Sequence, residues 1–220
     1  AQDFPSQLLE LLAVAGGGFP EGHPLATVAA EPRDVDLPPI WILGSSEYGA
    51  SVAAALGVGF AFARHLNPRG AEDALRLYRE RFTPSGRAPG PRAILAASAV
   101  CADTAERAEE LASSLGLAVV RMRQGRPALL PSPEEALAHR YTDAERDQLR
   151  RYRRAQVVGD PEQVAAQLHD LAERTGADEL MVMTSVHSHA ERLRSYELLA
   201  EAFGLPGGGA PDGRAAAPAG

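Results

Sequence analysis

Residues 38–68 set the pattern that the rest of the chain repeats. Residues 40–43 are a short β-rich apolar run and residues 44–46 are small turn-formers. Residues 48–56 place Val52 and Leu56 on one helical face, and residues 60–63 form a second apolar run. Strand, helix, strand in that order is a βαβ unit, which requires a parallel sheet. Neither run alternates cleanly between apolar and polar, as expected of parallel strands covered on both faces.

The same alternation continues in both directions. Residues 3–15 put Leu8, Leu11, Leu12 and Ala15 on one face, with Asp3 as cap and Gly16-Gly17-Gly18 as stop, so a helix is expected there. Residues 19–39 hold five prolines and no sustained period, and read as a loop. A helix is expected over 71–82, with Leu75, Leu77 and Tyr78 on its apolar side. A strand follows over 94–100, then a helix from Asp103-Thr104 to Ser114. Residues 116–152 are less regular. The charged stretch 143–154 reads first as a solvated helix and second as a lid, since long connections in α/β folds are often lids. Val157-Val158 is a short extended piece. Asp160 and Pro161 open a helix that Gly176 closes, 179–184 is the last strand and 190–203 the last helix. The Gly/Ala/Pro-rich residues 204–220 are expected to be disordered, leaving 1–203 as one domain.

Composition narrows the class. A length of 220 residues suits one domain with a sizeable core, and a net charge of −7 argues against a general nucleic-acid binder. The longest weakly polar run, 52–63, is too short to span a bilayer, and residues 1–15 lack a basic leader, so no membrane attachment and a cytoplasmic location are expected. The single cysteine, Cys101, rules out an internal disulfide and reads as a buried structural thiol.

Candidate chemistry sits at Gly44-Ser45-Ser46, where a strand gives way to a helix. Two readings fit. Ser46 caps the helix, the role for which Ser is preferred. Alternatively the small residues let an anion approach the first-turn N–H groups, with two hydroxyls as further donors. Arg64-His65 ends a strand and either lines a site or pairs locally. His187-Ser188-His189 is a close histidine pair without an obvious third ligand, so no metal site is expected. Asp178-Glu179 opens a strand and is expected at the structural end of the sheet.

The motifs WILGSS, AAALG and FAFARHLNP, in this order, resemble the flavin-dependent monooxygenases and oxidoreductases related to bacterial luciferase. Further pieces agree in order: Leu77-Tyr78-Arg79-Glu80 with Phe82 and Pro84-Ser85, Ala102-Asp103-Thr104, the run from Val158 to Val164, the run from Asp178 to Val182, and the run from Arg194 to Ala200. The resemblance implies a parallel (β/α)8 TIM barrel that binds flavin mononucleotide (FMN) at the C-terminal ends of its strands. The L-G-S-S segment resembles the fifth strand and the turn that holds the flavin phosphate. Gly44, Ser45 and Ser46 are then cofactor contacts. Gly49 stands where relatives often carry a small hydroxyl residue. Arg64, His65 and His187 are candidates for the pocket wall.

On that register the chain holds strands five to eight, at 40–43, 60–63, 94–100 and 179–184, and is the C-terminal half of a barrel. The family's catalytic histidines belong to the absent half, so no catalytic residue is carried over. The implied activity is oxygenation of a small organic substrate with O2 and reduced FMN as co-substrate. The implied partners are a flavin reductase and a second subunit in a homo- or heterodimer. A deazaflavin in place of FMN, and a non-catalytic, subunit-like flavin-binding role, are the alternatives.

Overall fold

A computed structural model of the chain describes residues 4–16, 18–19, 21–28, 30–31 and 37–206. The expected cap at Asp3 and most of the expected disordered tail lie outside them. Five strands form one parallel sheet: β1 (Trp41–Gly44), β2 (Gly59–Ala63), β3 (Ala93–Cys101), β4 (Gln156–Gly159) and β5 (Glu179–Met183). β1 pairs with β2 and β2 with the first half of β3. β5 takes the opposite edge of β3 over Ile94–Ser98, giving the order β1-β2-β3-β5. β4 pairs with Ser98–Cys101, on the edge that β2 has left free by ending at Ala63. It extends the sheet beyond β2, so the expected short extended piece at Val157-Val158 is a full strand.

Among the described residues, eight helices accompany these strands: α1 (Phe4–Ala15), α2 (Glu47–Leu56), α3 (Ala71–Arg81), α4 (Ala105–Arg123), α5 (Pro133–Ala138), α6 (Asp143–Arg153), α7 (Pro161–Thr175) and α8 (His189–Ala202). Register explains which strand residues they cover. Ile42, Phe60 and Ala93 share one face with Phe62, Leu95, Ala97 and Ala99, and these pack under α2, α3, α7 and α8. Phe60, Tyr78 and Phe82 form a chain of ring contacts with centroids 5.6 Å apart. Buried rings and leucines of this size each contribute about 1.5–3 kcal/mol through loss of water contact. The fully buried Tyr78 also spends its hydroxyl, donating to the Val58 carbonyl at 2.8 Å and accepting the Arg92 N–H at 3.1 Å.

α4 continues past the expected stop at Ser114 as far as Arg123. Gly116 does not break it, because it is a contact glycine. A Cβ there would lie 3.0 Å from Leu149 Cδ2, so the missing side chain lets α6 settle against α4. The charged stretch is the expected solvated helix, α6, with no buried residue. A reciprocal capping box between Thr142 and Glu145 starts it. Bonds from the Thr142 N–H and hydroxyl and the Gln124 amide hold the Glu145 carboxyl well below its ordinary range, at about 2.

Cys101 closes β3 and is 1% exposed. Burial, then the nearby Asp160 and Asp103 carboxylates, push its thiol up to about 11. The thiolate is the reactive form, so at pH 8 only about one thiol in a thousand is ionised. An aromatic disulfide reagent is therefore expected to leave the native chain untouched and to label one thiol after denaturation. Rapid labelling of the native chain would contradict the buried placement.

Candidate functional site at the end of β1

β1 ends at Gly44, and Ser45 and Ser46 carry the chain into α2. Ser46 has extended backbone angles (φ −149°, ψ 161°) and occupies the N-cap position. The first intrahelical bond runs from the Ala50 N–H to the Ser46 carbonyl at 3.3 Å. The Ser46 side chain accepts no capping bond. Elsewhere in the chain the matching hydroxyl or carboxylate does: Thr104, Ser132, Thr142, Asp160 and Ser188 each accept the N–H three residues on. Ser46 is exposed at the mouth of the turn, its hydroxyl unspent among the described residues. The positive end of the α2 dipole lies behind it.

Ser45 is fixed from the other side. Its carbonyl accepts the Asn67 side-chain amide at 2.9 Å, which ties this turn to the loop after β2. Gly44 and Gly49 face each other across the turn. A Cβ built on either would lie 3.7 Å from the other's Cα and about as close to the Phe60 ring, at 3.5 and 3.4 Å. A side chain at position 49 would therefore leave the helix toward Phe60 and Gly44, and what Gly49 contributes is close packing plus its first-turn N–H. Glu47 brings a carboxylate into the same turn, and it is exposed.

The other sequence candidates are placed as follows. Arg64 is half-buried, and its guanidinium donates to the Ala155 carbonyl at 2.8 Å, sealing the point where β2 ends and β4 begins. Burial lowers its pKa from the ordinary arginine value, helped by Arg174 and opposed by Glu72. His65 follows it, with Nδ1 buried and unpartnered among the described residues. His187 is exposed and donates from Nδ1 to the Leu130 carbonyl at 2.8 Å. His189 instead accepts from Arg192 at 3.2 Å, so the two rings serve separate contacts. Among the described residues no three His, Cys, Asp or Glu side chains are grouped to hold a metal ion. Asp178 accepts the Ala93 N–H at 2.7 Å and the Arg79 guanidinium at 2.8 Å, anchoring the N-terminal end of β3.

Two polar groups that sequence reasoning misses lie on the sheet face opposite the main helix-packed core. Ser98 and Gln156 are ladder partners, 2% and 5% exposed, and Ser98 Oγ and Gln156 Nε2 have no hydrogen-bond partner among the described residues. Buried polar groups are normally satisfied. Alternation in the sequence around Ser98 is masked by the apolar run on both sides of it.

The comparisons with known proteins bear on the family and the fold. The family model for luciferase-like monooxygenases matches residues 15–179. The protein YceB of Bacillus subtilis (strain 168) is 37% identical over 91% of this chain and 61% of its own. A luciferase-like monooxygenase of Escherichia coli (strain K12) is 35% identical over 89% of this chain and 57% of its own. The crystal structure of apo-MsnO8 superposes with a TM-score of 0.81 at 35% identity, covering 94% of this chain and 61% of that one. The chain thus spans about three-fifths of the length of these relatives. No described helix is long and apolar enough to cross a membrane. From the motif order, the parallel β/α architecture and these likenesses, the chain belongs to the luciferase-like monooxygenase family.

Proposed function

We propose that this chain carries the phosphate-binding half of a flavin-dependent monooxygenase, with Ser45, Ser46 and the first turn of α2 holding the phosphate of FMN. The observation that carries this reading is the Ser46 hydroxyl, which sits at a helix N-cap and serves no capping bond. Small residues at 44–46 admit a phosphate, the Asn67 brace fixes the turn, and the α2 N-terminus supplies backbone donors and a favourable field. A structural neighbour of 18% identity, the oxygenating constituent of 3,6-diketocamphane monooxygenase of Pseudomonas putida, is described in complex with FMN. Bound reduced FMN would supply the electrons for oxygenating a small organic substrate with O2, and the protein's part is to bind, orient and exclude water. A separate reductase as the source of reduced flavin, and a dimer as the assembled form, belong to the same proposal.

The test is a titration of the chain with FMN and with riboflavin, which lacks the phosphate. FMN is expected to bind at least about tenfold more tightly, the effect of one or more charge-assisted hydrogen bonds. Equal affinities would overturn the phosphate site.

The same proposal reads β1, β2, β3 and β5 as strands five to eight of an eight-stranded barrel. Its support is the face that carries Leu43, Ala61, Ala63, Ile94, Ala96, Met181 and Met183. Apart from Ile94, small residues sit on the central strands, and large apolar ones sit on the outer strands. Leu43 is 70%, Met181 53% and Met183 42% exposed. Among the described residues, β1 pairs only with β2 and β5 only with β3, leaving two parallel edges unpaired. Unpaired edges beside exposed apolar side chains recruit other chains. The isolated 220-residue chain is expected to self-associate at micromolar concentration in light scattering. A monodisperse monomer with one cooperative calorimetric transition would count against the half-barrel.

A further inference from the structure

A cleft of about 450 Å³ lies beyond the C-terminal end of β2, between the loop after β2 and the segment joining α6 to β4. Five arginines line it, Arg64, Arg69, Arg123, Arg151 and Arg154, and no Asp or Glu does. This is unusual for the chain, which has 29 acidic and 22 basic residues. Several arginines elsewhere are matched: Arg79 meets Asp178, Arg107 meets Glu110 and Glu191, Arg153 meets Glu109, and Arg194 meets Asp103. Of these five, Arg64 donates to the Ala155 backbone carbonyl, which is neutral. The guanidinium groups of Arg69, Arg123, Arg151 and Arg154 meet no acceptor among the described residues.

A structural explanation covers part of this. Arg123 closes α4 and Arg151 lies in the last turn of α6, where cations complement the helix dipole. Each helix end offers only about half a unit of negative charge, so two ends leave most of five positive charges unanswered. The arginines come from three separated segments that the docking of β4 beyond β2 brings together. Guanidinium groups in a concave site focus positive potential and bind oxyanions in bidentate fashion.

We propose that this cleft is a second anion site, distinct from the Ser45–Ser46 turn, which binds a multiply charged small oxyanion group, either phosphate or polycarboxylate, on a ligand of this protein. Asn67 belongs to both places: it lines the cleft and braces the Ser45 carbonyl. The loop after β2 therefore joins the two places. The arginine geometry defines this second site independently of flavin binding.

The experiment is isothermal titration of the chain with inorganic pyrophosphate and, separately, with citrate, at ionic strength held constant with chloride. Binding of either is expected, and the preferred one identifies the source of the charge. Arg151→Ser with Arg154→Ser is expected to weaken that binding about tenfold or more, and Arg123→Glu to weaken it at least as much. Ser45→Ala with Ser46→Ala is expected to leave it within about twofold of the parent. Circular dichroism and the melting temperature check that each variant is folded. No binding above the chloride background, unchanged affinity in both folded arginine variants, or loss of binding in the serine variant would each overturn the second site.

Discussion

Gly57→Ala is expected to destabilise the chain by about 2–5 kcal/mol, a large effect for one added methyl group. Two costs add. Gly57 ends α2 in the left-handed region at φ 60° and ψ 45°, where an L-residue costs roughly 1–2 kcal/mol. Its Cβ would also lie 2.5 Å from the Thr83 carbonyl oxygen and 2.6 Å from Ser85 Cβ. Ser85 cannot simply rotate away, because its hydroxyl donates to the Gly57 carbonyl at 2.7 Å. The Thr83 N–H in turn is committed to the Ala54 carbonyl at 2.9 Å. Backbone must move, and forced repacking of this kind costs about 1–3 kcal/mol more. The measurement is urea unfolding, with Gly86→Ala as control. A Cβ at Gly86 meets nothing within 4 Å, so its effect is expected to be small. Comparable midpoints for the two variants would show that the α2 terminus relaxes freely.

The position of Gly57 marks what sequence makes plain and what it conceals. The β1-α2-β2 unit is legible because its apolar runs are separated by small turn residues and the helix stop is a glycine. β4 is concealed because its strand character comes from pairing with the free end of β3, a long-range contact that Gln156–Gly159 does not encode by itself. Gly57 and Gly116 are the same residue type with opposite meanings. The first ends a helix, and the second lets two helices touch. The register with Ala96 and Ser98 shows which face of β5 carries Met181 and Met183.

The candidate site divides in the same way. That Ser46 stands at an N-cap follows from local pattern. That its hydroxyl is unspent there, unlike five other caps in the chain, is a matter of geometry. Motif order presents Gly49 as a ligand contact with a missing hydroxyl, whereas its packing against Gly44 and Phe60 needs the fold to be seen. The arginine cleft has no sequence signature. Its side chains run from Arg64 to Arg154, and apart from Arg64 each looks like an ordinary surface cation.

Replacing Ser45 and Ser46 together by alanine is expected to weaken FMN binding about ten- to a hundredfold and to leave riboflavin nearly unaffected. A hydrogen bond to a charged group contributes about 1.5–3 kcal/mol, and about 1.4 kcal/mol corresponds to one decade of affinity. Two hydroxyls would exceed a hundredfold if their bonds were independent. The expected loss is smaller because the α2 backbone donors remain and water can occupy the vacated positions. A purely structural role for the serines predicts a different pattern. Loss of a cap costs about 1 kcal/mol of stability, but Ser46 makes no capping bond to lose, and Ser45 is held through its carbonyl, which alanine retains. The melting temperature is therefore expected to stay close to the parent value. Titrating both flavins against both proteins, with a thermal melt of each, separates the roles. Equal loss for FMN and riboflavin with a lowered melting temperature would mean the serines only hold the turn. Loss confined to FMN at unchanged stability would place the phosphate on them.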